Sequence, residues 1–314
     1  MTPQISVIMP CLNSARHIRN AVASVLAQTL DDFELLIVDN GSTDSTLDIV
    51  AAIADRRIRI LHQPQRGVSW ARNLGLECAR GAVIAFLDSD DTWSVDFLEK
   101  MSSALAAHPD AVLAYCGWQN LGLPGPRGEP FIPPDYEGPD KTQLLLEGCR
   151  WPIHGCLTRT GAIRAAGGFD TSLTVAEDYL LWLEVSARGT IVRVADVLAQ
   201  YQHHDGIQAT KNLSRAVLDT LRAKQIFLAR HPEITATVGK DRIRALTWGP
   251  LIQEGNALYW RGNVESARPI FRKALLAGQG SWSDRRRMLA SFLPLTLHQR
   301  LRQARTHQSE RTGY

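Results

Sequence analysis

The strongest constraint on the fold is a regular alternation of apolar runs and amphipathic segments over the first 118 residues. Between the runs, apolar residues recur at the three- and four-residue spacing of a helix, as at Ile18, Val22 and Val25. Strands that are apolar throughout and alternate with helices are typical of a parallel sheet covered on both faces. The pattern therefore predicts an α/β fold with a mostly parallel sheet flanked by helices. The five apolar runs are residues 5–9, 33–38, 58–61, 82–87 and 111–118.

The rest of the chain changes character twice. Residues 119–140 are dense in proline and glycine, which indicates a long loop, and a loop of this length inside a domain is usually functional or flexible. From about residue 214 onward the apolar spacing is helical throughout. We therefore expect an α-helical C-terminal extension after the α/β domain.

Cysteine usage and hydropathy indicate the cellular compartment. The five cysteines form no CxxC pair, which argues against a disulfide framework or a zinc site and for a reducing compartment. The N-terminus shows no basic stretch followed by a long apolar run, and no segment approaches the roughly 18 apolar residues that cross a bilayer. We expect a cytoplasmic protein. The net charge of +3 gives no reason to expect a nucleic-acid partner.

The basic residues are concentrated near the C-terminus. Residues 281–314 contain seven arginines against Asp284 and Glu310, a charge of +5, which leaves −2 for residues 1–280. Because the arginines are mixed with leucine and phenylalanine, the segment could lie on an anionic membrane surface. The alternative is a solvated helix that packs on the body, since Pro294 interrupts any long amphipathic helix.

Polar residues follow three of the predicted strands at the edge where ligands bind in open α/β sheets. They are residues 10–13, 39–44 and 88–91, and the last stretch places three aspartates in four positions. Asp39 and Asp44 also suit turns and helix caps. Three neighbouring carboxylates, however, repel one another unless a cation is present, and carboxylates suit Mg²⁺ or Mn²⁺ bound together with substrate phosphates. The missing GxxxxGK[ST] and GxGxxG patterns argue against a P-loop enzyme and a dinucleotide-dependent oxidoreductase.

Five motifs in this order and spacing resemble those of the family-2 glycosyltransferases. They are "ISVIMPCLN", "FELLIVDNGSTDST", "RGVSWARNLGL", "GAVIAFLDSDD" and "GGFD" with "AEDYLLW", and together they cover about residues 4–205. The resemblance implies the GT-A fold, a Rossmann-like sheet, and inversion at the sugar carbon. It divides the chain into a glycosyltransferase domain and a helical C-terminal region. We expect the domain at 1–213, with a nucleotide-binding half at about 1–118 and an acceptor half at about 119–213, and the helical region at 214–314.

The resemblance also assigns residues to the nucleotide-sugar site. Asp39 matches the aspartate that accepts a hydrogen bond from the base, and Pro10 and Asn13 match the loop that lines the nucleoside pocket. Arg72 matches a basic residue near the nucleotide, where the alternative is a surface arginine of the helix. Asp88 and Asp90 match the ends of the DxD metal motif, with Asp90 the more direct ligand and Asp88 nearer the ribose. The nucleotide-sugar residues implied are Pro10, Asn13, Asp39, Arg72, Asp88 and Ser89.

Two further positions are implied for the chemistry. Asp178 matches the catalytic base, which would deprotonate an acceptor hydroxyl as its oxygen attacks the sugar. Glu177 is expected to support it, although both could instead cap the helix that they begin. His204 matches a possible metal or diphosphate contact beside Asp88 and Asp90, with a structural role as the alternative. Gln202 stands where the family usually has arginine, which puts a phosphate contact there in doubt.

The predicted activity is hexosyltransferase-type glycosyl transfer that depends on Mn²⁺ or Mg²⁺. The donor is expected to be a UDP- or dTDP-linked sugar, and the acceptor a sugar or a lipid-linked saccharide in cell-surface polysaccharide or glycolipid assembly. Residues 281–314 are expected to give peripheral contact with the inner face of the plasma membrane. Two alternatives stay open: a nucleotide-sugar-binding member of the fold without turnover, and a metal-dependent nucleotidyltransferase, which would release pyrophosphate.

Overall fold

The computed structural model describes residues 2–203 and 212–300. The chain divides into two compact units, Met1–Gly206 and Ile207–Tyr314. The predicted end of the first domain is residue 213, and the division of this domain into functional halves stays a prediction.

The first unit contains one eight-stranded sheet in the order β3-β2-β1-β4-β7-β6-β8-β5. The four strands from β3 to β4 are mutually parallel, as are β6 and β8. β7 runs antiparallel to both of its neighbours, and β5 runs antiparallel to β8. The sheet is therefore mixed, with the predicted parallel arrangement in its N-terminal half. The strands are β1 (Ile5–Cys11), β2 (Phe33–Asp39), β3 (Ile58–His62), β4 (Val83–Phe86), β5 (Thr92–Trp93), β6 (Ala111–Leu121), β7 (Cys156–Arg159) and β8 (Thr190–Gln202).

Seven helices accompany this sheet. They are α1 (Ile18–Leu26), α2 (Thr46–Ala51), α3 (Val68–Cys78), α4 (Phe97–Ala107), α5 (Lys141–Glu147), α6 (Thr160–Ala165) and α7 (Glu177–Ser186). Residues on β1 and β2 are buried along their whole length, as expected for strands with helices on both faces. α3 lies so close to the sheet that a Cβ on Gly75 would come within 2.4 Å of the Ile8 side chain. Only glycine fits this contact, which sets the distance between α3 and β1.

Two predicted helix starts and one strand length are wrong. The sequence predicts that Asn13 or Ser14 caps α1 and that Ser42 or Thr43 caps α2, because these residue types suit helix N-caps. The residues before these helices are His17 and Ser45, and neither makes a side-chain cap bond. The polar side chains instead bind neighbouring loops, as described below. The sequence also predicts a strand at residues 191–194. β8 is much longer than this segment, because its exposed and buried residues mix and hide the strand pattern.

The second unit is helical where it is described. Its helices are α8 (Leu213–Arg230), α9 (Pro232–Val238), α10 (Lys240–Trp260), α11 (Val264–Leu276) and α12 (Trp282–Leu289). The helical spacing at residues 246–259 and 264–276 predicts a helical hairpin, and α10 and α11 form it. Tyr259, Ile270 and Phe271 lie in its core. After α12 the chain forms a 3₁₀ turn at Ala290–Phe292 and becomes helical again beyond Pro294. None of the helices described in 2–203 and 212–300 combines the length and the apolar character that a bilayer crossing requires.

Candidate active site

Three loops at the carboxyl ends of β1, β2 and β4 are joined by side-chain hydrogen bonds. Asn13 accepts from the Thr43 backbone N–H at 2.8 Å, and its own N–H donates to the Ser42 hydroxyl at 3.0 Å. Ser14 and Ser89 share a hydroxyl hydrogen bond of 2.6 Å. The side chains expected to cap α1 and α2 therefore join the loops that carry the predicted nucleotide-sugar residues.

Asp39 is the last residue of β2, opposite Cys11 of β1, and the buried Pro10 pairs with Val38 one position earlier. The two oxygens of Asp39 accept from the backbone N–H groups of Gly41 and Ser42, at 3.2 and 3.0 Å. Gly41 has φ +91°, a left-handed conformation that glycine adopts readily and that this turn requires. Burial alone would raise the pKa of Asp39, but the hydrogen bonds of Ser42 and Gly41 outweigh it and lower that pKa. Because a carboxylate has about four acceptor positions, it can still accept a bond from a ligand.

Arg72 of α3 links the two acidic motifs. Its Nη1 donates to Glu177 Oε1 and its Nη2 to Asp88 Oδ1, both at 2.7 Å. The side chain is only 3% exposed, and its guanidinium lies 5.4 Å from the centre of the Phe169 ring. The alternative of a surface arginine is therefore wrong. Arg72 lies beneath the acidic groups, while direct contact with a nucleotide stays a prediction.

The two acidic residues at the start of α7 hold protons more tightly than usual. Burial and the charge of Asp178 raise the pKa of Glu177 to about 7, against the opposing effect of Arg72. Burial also raises the pKa of the partly exposed Asp178, and the nearby Asp88 adds to this rise. Asp178 accepts the N–H of Tyr179 at 2.7 Å. A carboxylate with a raised pKa is a better proton acceptor for a weakly acidic hydroxyl.

Backbone strain coincides with these loops. Among the described residues other than glycine, positive φ occurs at Asn13 (51°) and Ala176 (64°). Asn13 follows β1, and Ala176 directly precedes Glu177. Side chains larger than hydrogen disfavour this conformation, so it persists only where the surroundings impose it, and such residues are concentrated at functional sites.

A divalent cation fits the donor groups of residues 88–91, which we call the aspartate turn. Asp88 and Asp90 are both partly exposed, and Asp88 uses Oδ1 for Arg72, which leaves its second oxygen as a ligand. Within the described ranges, no three His, Cys, Asp or Glu side chains are grouped as a complete metal cage. Mg²⁺ commonly uses one or two carboxylates and completes its shell with water and substrate phosphates, so two carboxylates are sufficient. His204, the third predicted ligand, lies outside the described residues.

Two residues of this site are absent from the predicted set. Phe169 supports Arg72 and meets the Phe86 ring edge-on at 5.0 Å, and its position in "GGFD" was the available signal. His154 is buried beside Asp91, and no feature of its local sequence distinguishes it from an ordinary core residue.

Comparison with known proteins identifies the family. A family model described as "Glycosyl transferase family 2" matches residues 6–145. The putative teichuronic acid biosynthesis glycosyltransferase TuaG of Bacillus subtilis is 32% identical over 210 residues, covering 64% of this chain and 79% of that protein. The Escherichia coli UDP-Glc:alpha-D-GlcNAc-diphosphoundecaprenol beta-1,3-glucosyltransferase WfgD is 34% identical over 182 residues, covering 58% and 69%. The putative glycosyltransferase EpsH of Bacillus subtilis is 38% identical over 114 residues, and the chain covers only 33% of its length.

Two solved structures share the fold at low sequence identity. Staphylococcus aureus TarS 1–349 in complex with UDP-GlcNAc has a TM-score of 0.61 at 19% identity, over 96% of this chain and 92% of that one. The mannosyltransferase PcManGT of Pyrobaculum calidifontis, in complex with GDP-Man and Mn²⁺, has a TM-score of 0.60 at 18% identity, over 100% and 89%. The predicted GT-A fold with helices after it is confirmed by these likenesses. With the sequence relatives, the result is that this chain belongs to glycosyltransferase family 2 and is a glycosyltransferase of polysaccharide biosynthesis.

Proposed function

We propose that the chain transfers a sugar, with inversion, from a UDP- or dTDP-linked donor to an acceptor hydroxyl in surface-polysaccharide or glycolipid assembly. The observation that carries this proposal is the bridge of Arg72 between Asp88 and Glu177. It brings the aspartate turn of the donor loops next to Asp178, which is the arrangement that a single displacement needs. WfgD is named for a UDP-glucose donor and the TarS structure holds UDP-GlcNAc, whereas PcManGT holds GDP-Man. These names favour a uridine nucleotide.

Each residue has a part in the proposed reaction. Asp39 accepts a hydrogen bond from the base, and the joined loops of Pro10, Asn13 and Ser89 form the wall of the nucleoside site. Asp178 takes the proton of the acceptor hydroxyl while the hydroxyl oxygen attacks the sugar carbon from the face opposite the leaving diphosphate. A Mn²⁺ or Mg²⁺ ion held by Asp88 and Asp90 would supply positive charge to the leaving diphosphate. Arg72 keeps Asp88 and Glu177 in place.

The test is thermal stability with UDP, dTDP and GDP, each with and without Mn²⁺. A ligand at about 100 times its dissociation constant stabilises the folded protein by roughly 2.7 kcal/mol, which is an easily measured rise in Tm. We expect UDP or dTDP with Mn²⁺ to raise the Tm of the wild type, and Asp90→Ala to lose the part that depends on Mn²⁺. If no nucleoside diphosphate stabilises the protein, the proposal fails. Release of pyrophosphate instead of nucleoside diphosphate during turnover would favour the nucleotidyltransferase.

We also propose that residues 281–314 contact an anionic membrane surface from the cytoplasmic side. In the described part of this segment, Met288 and His298 are buried, whereas Trp282, at 72% exposure, and Leu289 lie on the outer side of α12. Trp282 and Leu289 are seven residues apart, so they share one face of the helix. Arg286 belongs to the same face, with its guanidinium 4.6 Å from the centre of the Trp282 ring.

The composition of this face favours lipid over other partners. Tryptophan and arginine together suit the boundary between headgroups and acyl chains, and anionic lipids add about 1 kcal/mol for each basic residue near the surface. Arg285→Glu with Arg286→Glu should abolish sedimentation with vesicles that contain phosphatidylglycerol, while Arg56→Glu, an exposed arginine of the first unit, should leave it unchanged. Equal binding by both variants would contradict the membrane proposal.

A further inference from the structure

The third aspartate of the turn has no part in the proposed reaction, and yet it is the most deeply buried of the three. Asp91 is 1% exposed, and its Oδ2 lies 3.0 Å from Nδ1 of His154, which is fully buried. A buried pair of ionisable groups gains little stability over an apolar pair of the same size, because both groups lose their hydration. In some proteins such a pair serves to specify one geometry.

Asp91 and His154 connect three separate segments of the first unit. Asp91 Oδ1 accepts the backbone N–H of Gln202 at 2.9 Å, at the end of β8. The His154 ring stacks on Tyr201 with centroids 5.7 Å apart, and its carbonyl accepts the Trp93 indole N–H at 2.7 Å. The pair therefore joins the aspartate turn, the end of β8, and the 3₁₀ turn at Ile153–Gly155 that precedes β7.

The backbone joins the segment after Asp91 to β8 over a short stretch. These residues form β5, which pairs with β8 at Thr92 with Gln200 and Trp93 with Ala199, and Ser94 N–H donates to the Leu198 carbonyl at 2.9 Å just beyond β5. A two-residue strand is a weak joint by itself. The hydrogen bond from Gln202 to the Asp91 side chain extends this connection at its other end, one residue closer to Asp90.

We propose that Asp91 and His154 are positioning residues, which hold the end of β8 against the aspartate turn and thereby fix where Asp90 presents its carboxylate. This inference rests on the proposed metal-assisted binding of a nucleoside diphosphate. Asp91 itself binds neither the nucleotide nor the cation. Outer groups that orient a metal ligand typically change metal affinity by about 10–100-fold when they are removed.

The test uses two variants of the pair and a matched control. Asp91→Ala removes the acceptor of the Gln202 N–H, and His154→Phe keeps a ring over Tyr201 but removes the partner of Asp91. Glu34→Gln is the control, because Glu34 is also a buried carboxylate but lies at the opposite edge of the sheet, bound by Arg59 and Arg80. Three quantities are measured for each protein: Tm and, at a temperature well below Tm, the affinity for UDP with and without Mn²⁺ and the hydrogen exchange of the Gln202 amide.

The expected result separates positioning from simple stability. Asp91→Ala and His154→Phe should weaken binding of UDP with Mn²⁺ by about 10-fold or more, with little change in binding of UDP alone. Asp91→Ala should also accelerate exchange at Gln202, whereas Glu34→Gln should lower Tm without either effect. If both variants lower Tm like the control and bind UDP with Mn²⁺ like the wild type, the pair is only structural and the inference is overturned. His154→Phe decides the matter if Asp91→Ala does not fold.

Failure of the proposed function gives a different pattern. In that case the wild type itself would not bind UDP with Mn²⁺, and the affinity comparison would have no starting value. Exchange at Gln202 still tests the positioning: slow exchange in the wild type that is lost in Asp91→Ala supports it. Unchanged exchange in Asp91→Ala overturns it.

Discussion

Glu34 and Asp39 lie at opposite ends of the same strand, β2. The amino ends of the parallel strands form one side of the sheet, here called the amino edge, and their carboxyl ends form the other, the carboxyl edge. The acidic groups at these two edges have different surroundings. At the amino edge, the single buried carboxylate of Glu34 meets two guanidinium groups, those of Arg59 and Arg80, each at 2.7 Å. Burial alone would raise its pKa, but the hydrogen bonds of Arg80, Ser6 and Arg59 outweigh this and lower it. The negative charge is fully compensated there.

At the carboxyl edge the ratio is reversed. The one guanidinium of Arg72 lies among the carboxylates of Asp88, Glu177 and Asp178, and the pKa values of the last two are raised. Negative charge that the protein does not compensate must be balanced by a proton or by a cation from outside. A buried carboxylate alone therefore does not mark an active site, whereas an excess of carboxylates over their basic partners points to one.

The largest expected effect is on turnover. Asp178→Asn removes the proton acceptor, and general-base catalysis typically contributes about 10²–10⁴-fold, so kcat should fall by that factor. Binding of UDP with Mn²⁺ should stay near the wild-type value, because Asp178 is not among the proposed ligands. Release of nucleoside diphosphate measures turnover, and Asp196→Asn, which removes an exposed carboxylate of β8, is the control with unchanged kcat. Substantial residual turnover in Asp178→Asn would remove Asp178 from the base role.

The next effect concerns stability without added metal. Because the pKa of Glu177 is about 7 in the folded protein, above its usual 4.5, the folded state binds more protons than the unfolded state between these values. Stability must therefore fall as pH rises through this window, by at most about 3 kcal/mol from this group.

Glu177→Gln should remove this part of the pH dependence. Urea unfolding of the wild type and the variant at pH 5 and pH 7 measures the difference in slope. The free energy of unfolding of the variant, relative to that of the wild type, should be higher at pH 7 than at pH 5, because folding disfavours the ionised form of Glu177. Parallel pH profiles for the two proteins would mean that Arg72 compensates Glu177 fully, and the contrast between the edges would disappear.

The contrast also explains what the sequence could and could not predict. Strand ends are visible in a sequence because apolar runs stop at polar residues, so Asp39 and the Asp88–Asp91 stretch could be assigned to one edge. The link between Asp88 and Glu177 through Arg72 could not be predicted, because residues 72 and 177 are far apart in the sequence and meet only in the folded chain. The burial of Arg72 follows from the packing of α3 against β1, where Gly75 lies against Ile8. Both residues belong to the quoted motifs, but the motifs do not show that the two meet in the folded chain.

The same limit applies to local polar residues. Asn13 and Ser14 fit the pattern of a helix cap, but in the folded chain they bind Thr43 and Ser89 instead. A helix cap is a hydrogen bond to a nearby backbone group, and a side chain can instead bind a tertiary partner that lies within reach. For His154 the local sequence predicts no role at all. Its proposed role depends on Asp91, which lies far away along the chain.

The smallest expected effect tests the compensated edge. Glu34→Gln keeps the shape and most of the hydrogen bonds of the side chain but removes its charge, and both arginines remain partly in contact with water. We expect a loss of about 1–3 kcal/mol in the free energy of unfolding at pH 7. The pKa of Glu34 is lowered in the folded protein, so its contribution is fully present above the usual value of 4.5 and disappears as pH falls through the folded value. The difference between wild type and variant should therefore shrink in acid, as urea unfolding at pH 7 and below pH 4.5 can show. Binding of UDP with Mn²⁺ should not change, because no group of this edge reaches the proposed site. A loss of nucleotide affinity in Glu34→Gln would mean that the two edges are coupled through β2, and charge at one edge could then not be assigned to structure alone.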